Sequence, residues 1–227
     1  MEVRTQGHTH SGSPAMTTTE PATGRIDFTM MYLTHDAFRR DLDRLRQAAQ
    51  ADRADSIGVQ AGWANFKRQL HVHHSVEDET LWPRVTAASA GRADAADAAE
   101  ILAAMAAEHG RLDGLLEAVD VAMAQRSVAL PEIVAGLDVG LRGHMRHEEE
   151  AALPLIQRVL EPKDWADFSK AMARKQKLSG AAAYVPWMLD GARPDQRTAL
   201  FNALPAPVKV LNRLLWEGRY QARHPWA

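Results

Sequence analysis

His73 and Glu77 stand four residues apart, and so do His144 and Glu148. Each pair opens a longer repeat that closes on a large apolar residue and a proline, Leu81-Trp82-Pro83 in the first copy and Leu153-Pro154 in the second. Four residues is about one helical turn, so on a helix the imidazole and the carboxylate share one face. Such a turn offers a nitrogen and an oxygen ligand together. Two such turns facing each other could hold two metal ions.

The flanking sequence supplies helices to carry them. Met31, His35, Phe38, Leu42 and Leu45 recur at the spacing of one buried helical stripe, with Arg39, Arg40, Asp41 and Asp43 off it. A second stripe runs Trp63, Phe66, Leu70, His73, Glu77 and Leu81, and Pro83 should kink or end that helix. A third runs Ile101, Met105, His109, Leu112, Leu116, Val119 and Met123. The fourth starts beside Pro131, which suits a first turn, and runs Leu137, Leu141, His144, Glu148, Ala151 and Leu155. No strand-like alternation interrupts them. The expected fold is all-α: an antiparallel four-helix bundle over residues 25–160 with a C-terminal helical extension over 161–227. In the extension, helical patterns around Trp165, Phe168 and Met172 and around Val208, Leu211 and Leu214 alternate with Gly and Pro, which predicts short helices packed on the bundle. Trp187, Trp216 and Trp226 suit either the cover of a bundle end or the contact of a homodimer through this region. Residues 1–24, rich in Gly, Ser, Thr and Pro, read as a disordered tail, and His8 and His10 within it as solvated.

Composition narrows the chemistry. The 227 residues are 46% hydrophobic and 25% charged, enough for one sizeable core with an appendage. The formal net charge of −2 gives no basic field for nucleic acid or an anionic membrane. There is no cysteine, so a metal would be held by nitrogen and oxygen alone. No apolar run reaches the ~20 residues of a membrane span and the N-terminus lacks a signal-peptide core, so a cytoplasmic protein is expected.

Each expected bundle helix thus puts a histidine on its buried stripe, His35, His73, His109 and His144, with Glu77 and Glu148 one turn beyond two of them. No Arg or Lys shares those stripes. Without a cation, burying these groups would cost several kcal/mol per unpaired charge. Two carboxylates can each bridge two ions while the imidazoles take terminal positions. That set suits two iron ions sharing an oxo or hydroxo bridge, with manganese or zinc as alternatives.

The series His35, then His73-x-x-x-Glu77 closing in Leu81-Trp82-Pro83, then Glu108-His109, then His144-x-x-x-Glu148 closing in Leu153-Pro154 resembles the hemerythrin-like family of non-haem di-iron four-helix bundles. The resemblance spans roughly residues 26–160. It implies a di-iron centre that binds dioxygen, with His35, His73, His109 and His144 as terminal ligands and Glu77 and Glu148 as bridges. Members from bacteria are also linked to oxygen or iron sensing and to peroxide or nitric oxide. The chain departs from the oxygen carriers, which bring a fifth histidine on the third helix, where Met105 or Asp113 stands here. Of about twelve positions on two octahedral ions, about two would then stay open, which favours a more reactive site than a carrier. Glu149 is an alternative to Glu148; the other acids of both runs read as solvated, and His71, His74 and His147 as flanking residues off the stripe. Three functions follow: a binder of O2 or a related small molecule (NO or peroxide), a di-iron oxidoreductase turning over peroxide, NO or an organic substrate, and an iron- or oxygen-sensing interaction module.

Overall fold

Thr29–Gln50 forms α1, Ile57–Val76 α2, Trp82–Ser89 α3, Ala95–Ala124 α4, Leu130–His147 α5 and Leu153–Val159 α6. The computed structural model describes residues 25–227; the tail expected over residues 1–24 lies outside them. Every regular element among the described residues is helical. The Ser56 hydroxyl starts α2 by accepting from the Val59 N–H at 3.2 Å. Pro131 falls in the first turn of α5, where its missing N–H costs nothing.

Pro83 and Pro154 do not end their helices. Between α2 and α3, and again between α5 and α6, the chain makes one π-helical turn, Glu77–Leu81 and Glu148–Ala152. In each, the N–H after the turn (Trp82, Leu153) reaches back five residues, to the carbonyl of Glu77 or Glu148. The widened ladder takes in the proline just beyond it, so the helix axis continues. The expectation of a break at Pro83 is thereby corrected. Both π turns begin on the glutamates singled out by the sequence.

α1, α2–α3, α4 and α5–α6 pack as the four long members of the bundle. Their buried stripes form two apolar clusters. One holds Phe38, Leu42, Phe66, Leu70, Leu112 and Leu141; the other holds Met31, Leu81, Met105, Ala152 and Ile156. On every member the histidines and glutamates lie in the sequence between residues of the two clusters, as His35 does between Met31 and Phe38. A polar layer therefore cuts the core across all four helices.

Pro162–Leu189 is α7, broken at Lys177, whose φ of 55° no helix allows. It packs along α2, where Gln176 Nε2 donates to Gln69 Oε1 at 2.6 Å, and reaches α1, where Trp187 Nε1 donates to the buried Asp41 Oδ2 at 2.7 Å. Pro194–Ala203 is α8, Ala206–Leu211 α9 and Glu217–Gln221 α10, the last two joined by a third π turn at Asn212–Trp216. Trp187, Trp216 and Trp226 are all buried within the chain. The Trp226 ring lies flat on Gly62 of α2, where a Cβ would come within 2.5 Å of it.

Candidate metal centre

Two groups of three ligating side chains lie in the polar layer, all buried. His35, His73 and Glu148 each bring a nitrogen or oxygen atom within 4.8 Å of the others, and His74, His109 and His144 do the same. In the first group His35 Nε2 is 3.2 Å from His73 Nε2 and 3.2 Å from Glu148 Oε2. In the second, His109 Nε2 is 3.3 Å from His144 Nε2, and the His74 ring stacks on His109 with centroids 4.0 Å apart. Glu77 stands between the groups. Its Oε1 is 3.1 Å from His73 Nε2 and its Oε2 is 3.7 Å from His109 Nε2.

A ring of carboxylates outside the layer sets the tautomers. Glu149 Oε1 lies 2.7 Å from His35 Nδ1, Asp78 Oδ1 2.9 Å from His109 Nδ1, and Glu108 Oε2 2.9 Å from His144 Nδ1. An ionised carboxylate only accepts, so each Nδ1 must donate. At His109 and His144 a neutral ring then turns its Nε2 lone pair inward. The consequence is plain at His109 and His144: two lone pairs face each other across 3.3 Å, an arrangement that attracts a cation and repels itself without one.

Buried polar atoms tell the same story. All four oxygens of Glu77 and Glu148, and His74 Nε2, have no hydrogen bond of acceptable geometry, close as the imidazoles are. In the protein without metal, burial pushes the Glu77 carboxyl well up, and the charge of Glu148 adds to it. Burial would raise Glu148 too, but the adjacent His35 outweighs this and holds it below the usual carboxylate range. Burial lowers His73, with His35 reinforcing it, to about 3; it lowers His74 and His144 as well. His35 alone goes up, to about 9, because Glu148 overcomes its burial. Apart from the His35–Glu148 pair, buried imidazoles lowered by burial and a Glu77 carboxyl without a partner form a donor set complete only around cations. The residues present fit a pair of metal ions.

Of the sequence-derived candidates, His35, His73, Glu77, His109, His144 and Glu148 all come together in this layer. Three expectations are corrected. His74 is no flanking residue: it is buried and supplies a third imidazole to the second group. Asp78, read as solvated, holds the Nδ1 atom of His109, and Glu149, read as an alternative to Glu148, instead holds that of His35 and accepts at both oxygens from Arg39 Nη2 at 2.8 Å. The fifth imidazole is therefore present, from α2 rather than α4; Met105 is packed in the apolar cluster and Asp113 is exposed. His147 does flank the site, 2.9 Å from Glu108 Oε1, and His71 is exposed.

Fold and site together define a four-helix bundle with two buried His/Glu clusters able to bind metal ions. The hemerythrin HHE cation binding domain matches residues 27–156, more than half of the chain. The chain belongs to that family. No curated protein and no solved structure matches it significantly. No helix among the described residues is long and apolar enough to cross a membrane.

Proposed function

We propose that the protein holds two iron ions, one in each cluster, and binds dioxygen or a related small molecule such as nitric oxide or peroxide there. The observation that carries this reading is Glu77: its two oxygens are divided between His73 of one group and His109 of the other, as a bridging carboxylate requires. Glu148, presenting Oε2 to His35, would be the second bridge. His35 and His73 would hold one ion, and His74, His109 and His144 the other. Two iron ions would supply the coordination and electron exchange that such diatomic ligands need.

The chain's own residues decide how open the site is. Five imidazoles and two carboxylates would hold the ions, one imidazole more than the sequence alone offered, so fewer positions would stay open. The group of His35 and His73 has one imidazole fewer and would be the more open of the two. The His74 imidazole thus shifts the balance from turnover towards reversible binding. Asp78, Glu108 and Glu149 hold the rings in place and keep Nε2 free of protons. Elemental analysis together with an absorption spectrum of the air-exposed protein tests the reading. About two irons per chain and an oxo-to-iron band that azide shifts are expected; one ion per chain, or a preference for zinc in competition, refutes it.

A further inference from the structure

The two bundle halves differ at one position just outside the ligands. Glu108, next in sequence to His109, holds His144 Nδ1; the matching residue next to His35 is Thr34, which brings no carboxylate to His73. On that side the bundle opens into a cavity of about 690 Å³ between α1, α2 and the C-terminal helices. His73 is at its metal-facing end, and Met31, Phe168 and Met172 are among its apolar walls. A diatomic ligand needs a passage little larger than the ~30 Å³ that one water occupies. A chamber this size fits an organic molecule, within the range of small-molecule pockets.

Its polar fittings say what kind. The Thr34 hydroxyl donates to the Met30 carbonyl at 2.8 Å, so the 2.7 Å contact between Thr34 Oγ1 and the Tyr184 hydroxyl must have tyrosine as donor. Both protons are then committed within the protein, and the tyrosine oxygen keeps free lone pairs. Burial pushes the Tyr184 hydroxyl up, so it stays a neutral phenol. Gln176, whose Nε2 is committed to Gln69, also belongs to the lining. Arg25 and Asp27, both exposed, bring opposite charges to the rim and select for neither sign. Flexible methionines let the walls adapt to an aromatic or alkyl body.

We propose that this chamber binds a neutral, mostly apolar organic molecule carrying one hydrogen-bond donor, an aromatic or medium-chain alcohol or phenol, with its hydroxyl on Tyr184 and its body between α1 and α7. The inference goes beyond the dimetal reading and does not depend on it. The probe is 1-naphthol, titrated calorimetrically into the full-length protein with and without iron, against 1-methylnaphthalene, which has the same body and no donor. One saturable site per chain is expected. Tyr184→Phe should weaken 1-naphthol about fivefold, the worth of one hydrogen bond, and leave 1-methylnaphthalene unchanged. Met172→Trp, which fills the chamber, should weaken both at least about tenfold; if that variant fails to fold, Ala173→Trp at the rim serves the same purpose. No saturable binding, or binding that a folded filling variant leaves intact, overturns the proposal. Equal losses of both probes in Tyr184→Phe overturn the role given to its oxygen. Saturable binding in a chain that takes up no iron would sink the dimetal reading and leave this one standing.

Discussion

The bundle is two half-sites of similar plan. His35 on α1 corresponds to His109 on α4, His73 and Glu77 to His144 and Glu148, Asp78 to Glu149, and Pro83 to Pro154. Each half sends its acid across the layer, Asp78 to His109 and Glu149 to His35. Against this common frame stand two differences. His74 on α2 has Met145 as its counterpart on α5, and Glu108 has Thr34. The first makes one cluster richer in imidazole; the second leaves His73 without an outer carboxylate and beside an apolar chamber. The lesson is that ligand geometry is fixed by what the halves share, while access and preference are set by the residues they do not.

The bridging glutamates test the shared frame and carry the largest effect. Glu77→Gln and Glu148→Gln should each weaken iron binding about a hundredfold or more and lower the melting temperature of the iron-loaded protein by roughly 5–10 °C. Without metal the two halves should part. Glu77, pushed up by burial and by Glu148, has no cationic partner to lose, so Glu77→Gln should melt no lower than the metal-free wild type. Glu148 pairs with His35, so Glu148→Gln strands a buried imidazole and should melt lower. Calorimetry of both forms reads this, and equal metal-free penalties would mean that the two carboxylates are interchangeable.

His74→Met copies Met145 into the first half and removes the extra imidazole. The iron content after dialysis should fall from about two towards one per chain, with affinity at the second cluster down about ten- to a hundredfold. His71→Ala, one turn away but exposed, should keep both ions. Retention of both by His74→Met would show that the stacked ring is a packing residue rather than a ligand.

Exchanging the outer residues has a smaller effect. Glu108→Thr frees His144 Nδ1 and His147 together, so metal affinity should drop about tenfold in a chelator competition. The ions remain bound at millimolar iron, and the fold should stay intact, because Glu108 lies at the bundle surface side of the layer and leaves no buried charge behind. An unchanged affinity would mean that the ring orientation is set by packing alone.

How much of this was legible follows from helix geometry. A residue on a buried stripe announces its direction by period, so His35, His73, Glu77, His109, His144 and Glu148 could be read from spacing. His74 could not be read that way, because one step along a helix turns about 100°. Yet α2 is buried over a wide arc, with Val72 and Val76 inside as well as Leu70, so both rings of the His73-His74 pair find bundle neighbours: His35 for one, His109 for the other. Apolar neighbours on both sides of the pair were the available signal. Asp78 and Glu149 were hidden in acidic runs that look like solvated surface, and only the facing helix reveals their partners. Pro83 misleads because the usual cost of an interior proline presumes an α ladder, and the π turn at Glu77–Leu81 removes that premise. The chamber depends on contacts between segments far apart in sequence, Thr34 with Tyr184 among them, for which spacing has no signature.

The smallest effect concerns the wall of the chamber, which covers one half of the bundle. The second part of α7 is tied to α1 where Arg44 Nη1 and Nη2 donate to Asp190 Oδ2 and Oδ1 at 2.7 and 3.2 Å, and Tyr220 donates to the same carboxylate at 3.2 Å. Burial would raise the Asp190 carboxyl, but the hydrogen bond and charge of Arg44 outweigh it, and the group is held below the usual carboxylate range. A carboxyl whose folded pKa is depressed stabilises above its unfolded value of about 3.9, and that contribution is lost as pH falls through the folded value. Solvent screens a pair this exposed, so the whole contribution is about 0.5 kcal/mol. Asp190→Asn should therefore melt about 1–2 °C below wild type at pH 5–7. The gap should begin to narrow below about pH 4, the unfolded value, and close only once pH has fallen below the lower folded value. Amide exchange should quicken in Leu178–Leu189 of the variant and stay unchanged in α4, which α7 does not wall. Faster exchange in α4 as well would mean that the extension and the far half of the bundle open as one unit, and that the contrast between a covered and an uncovered half has no counterpart in stability.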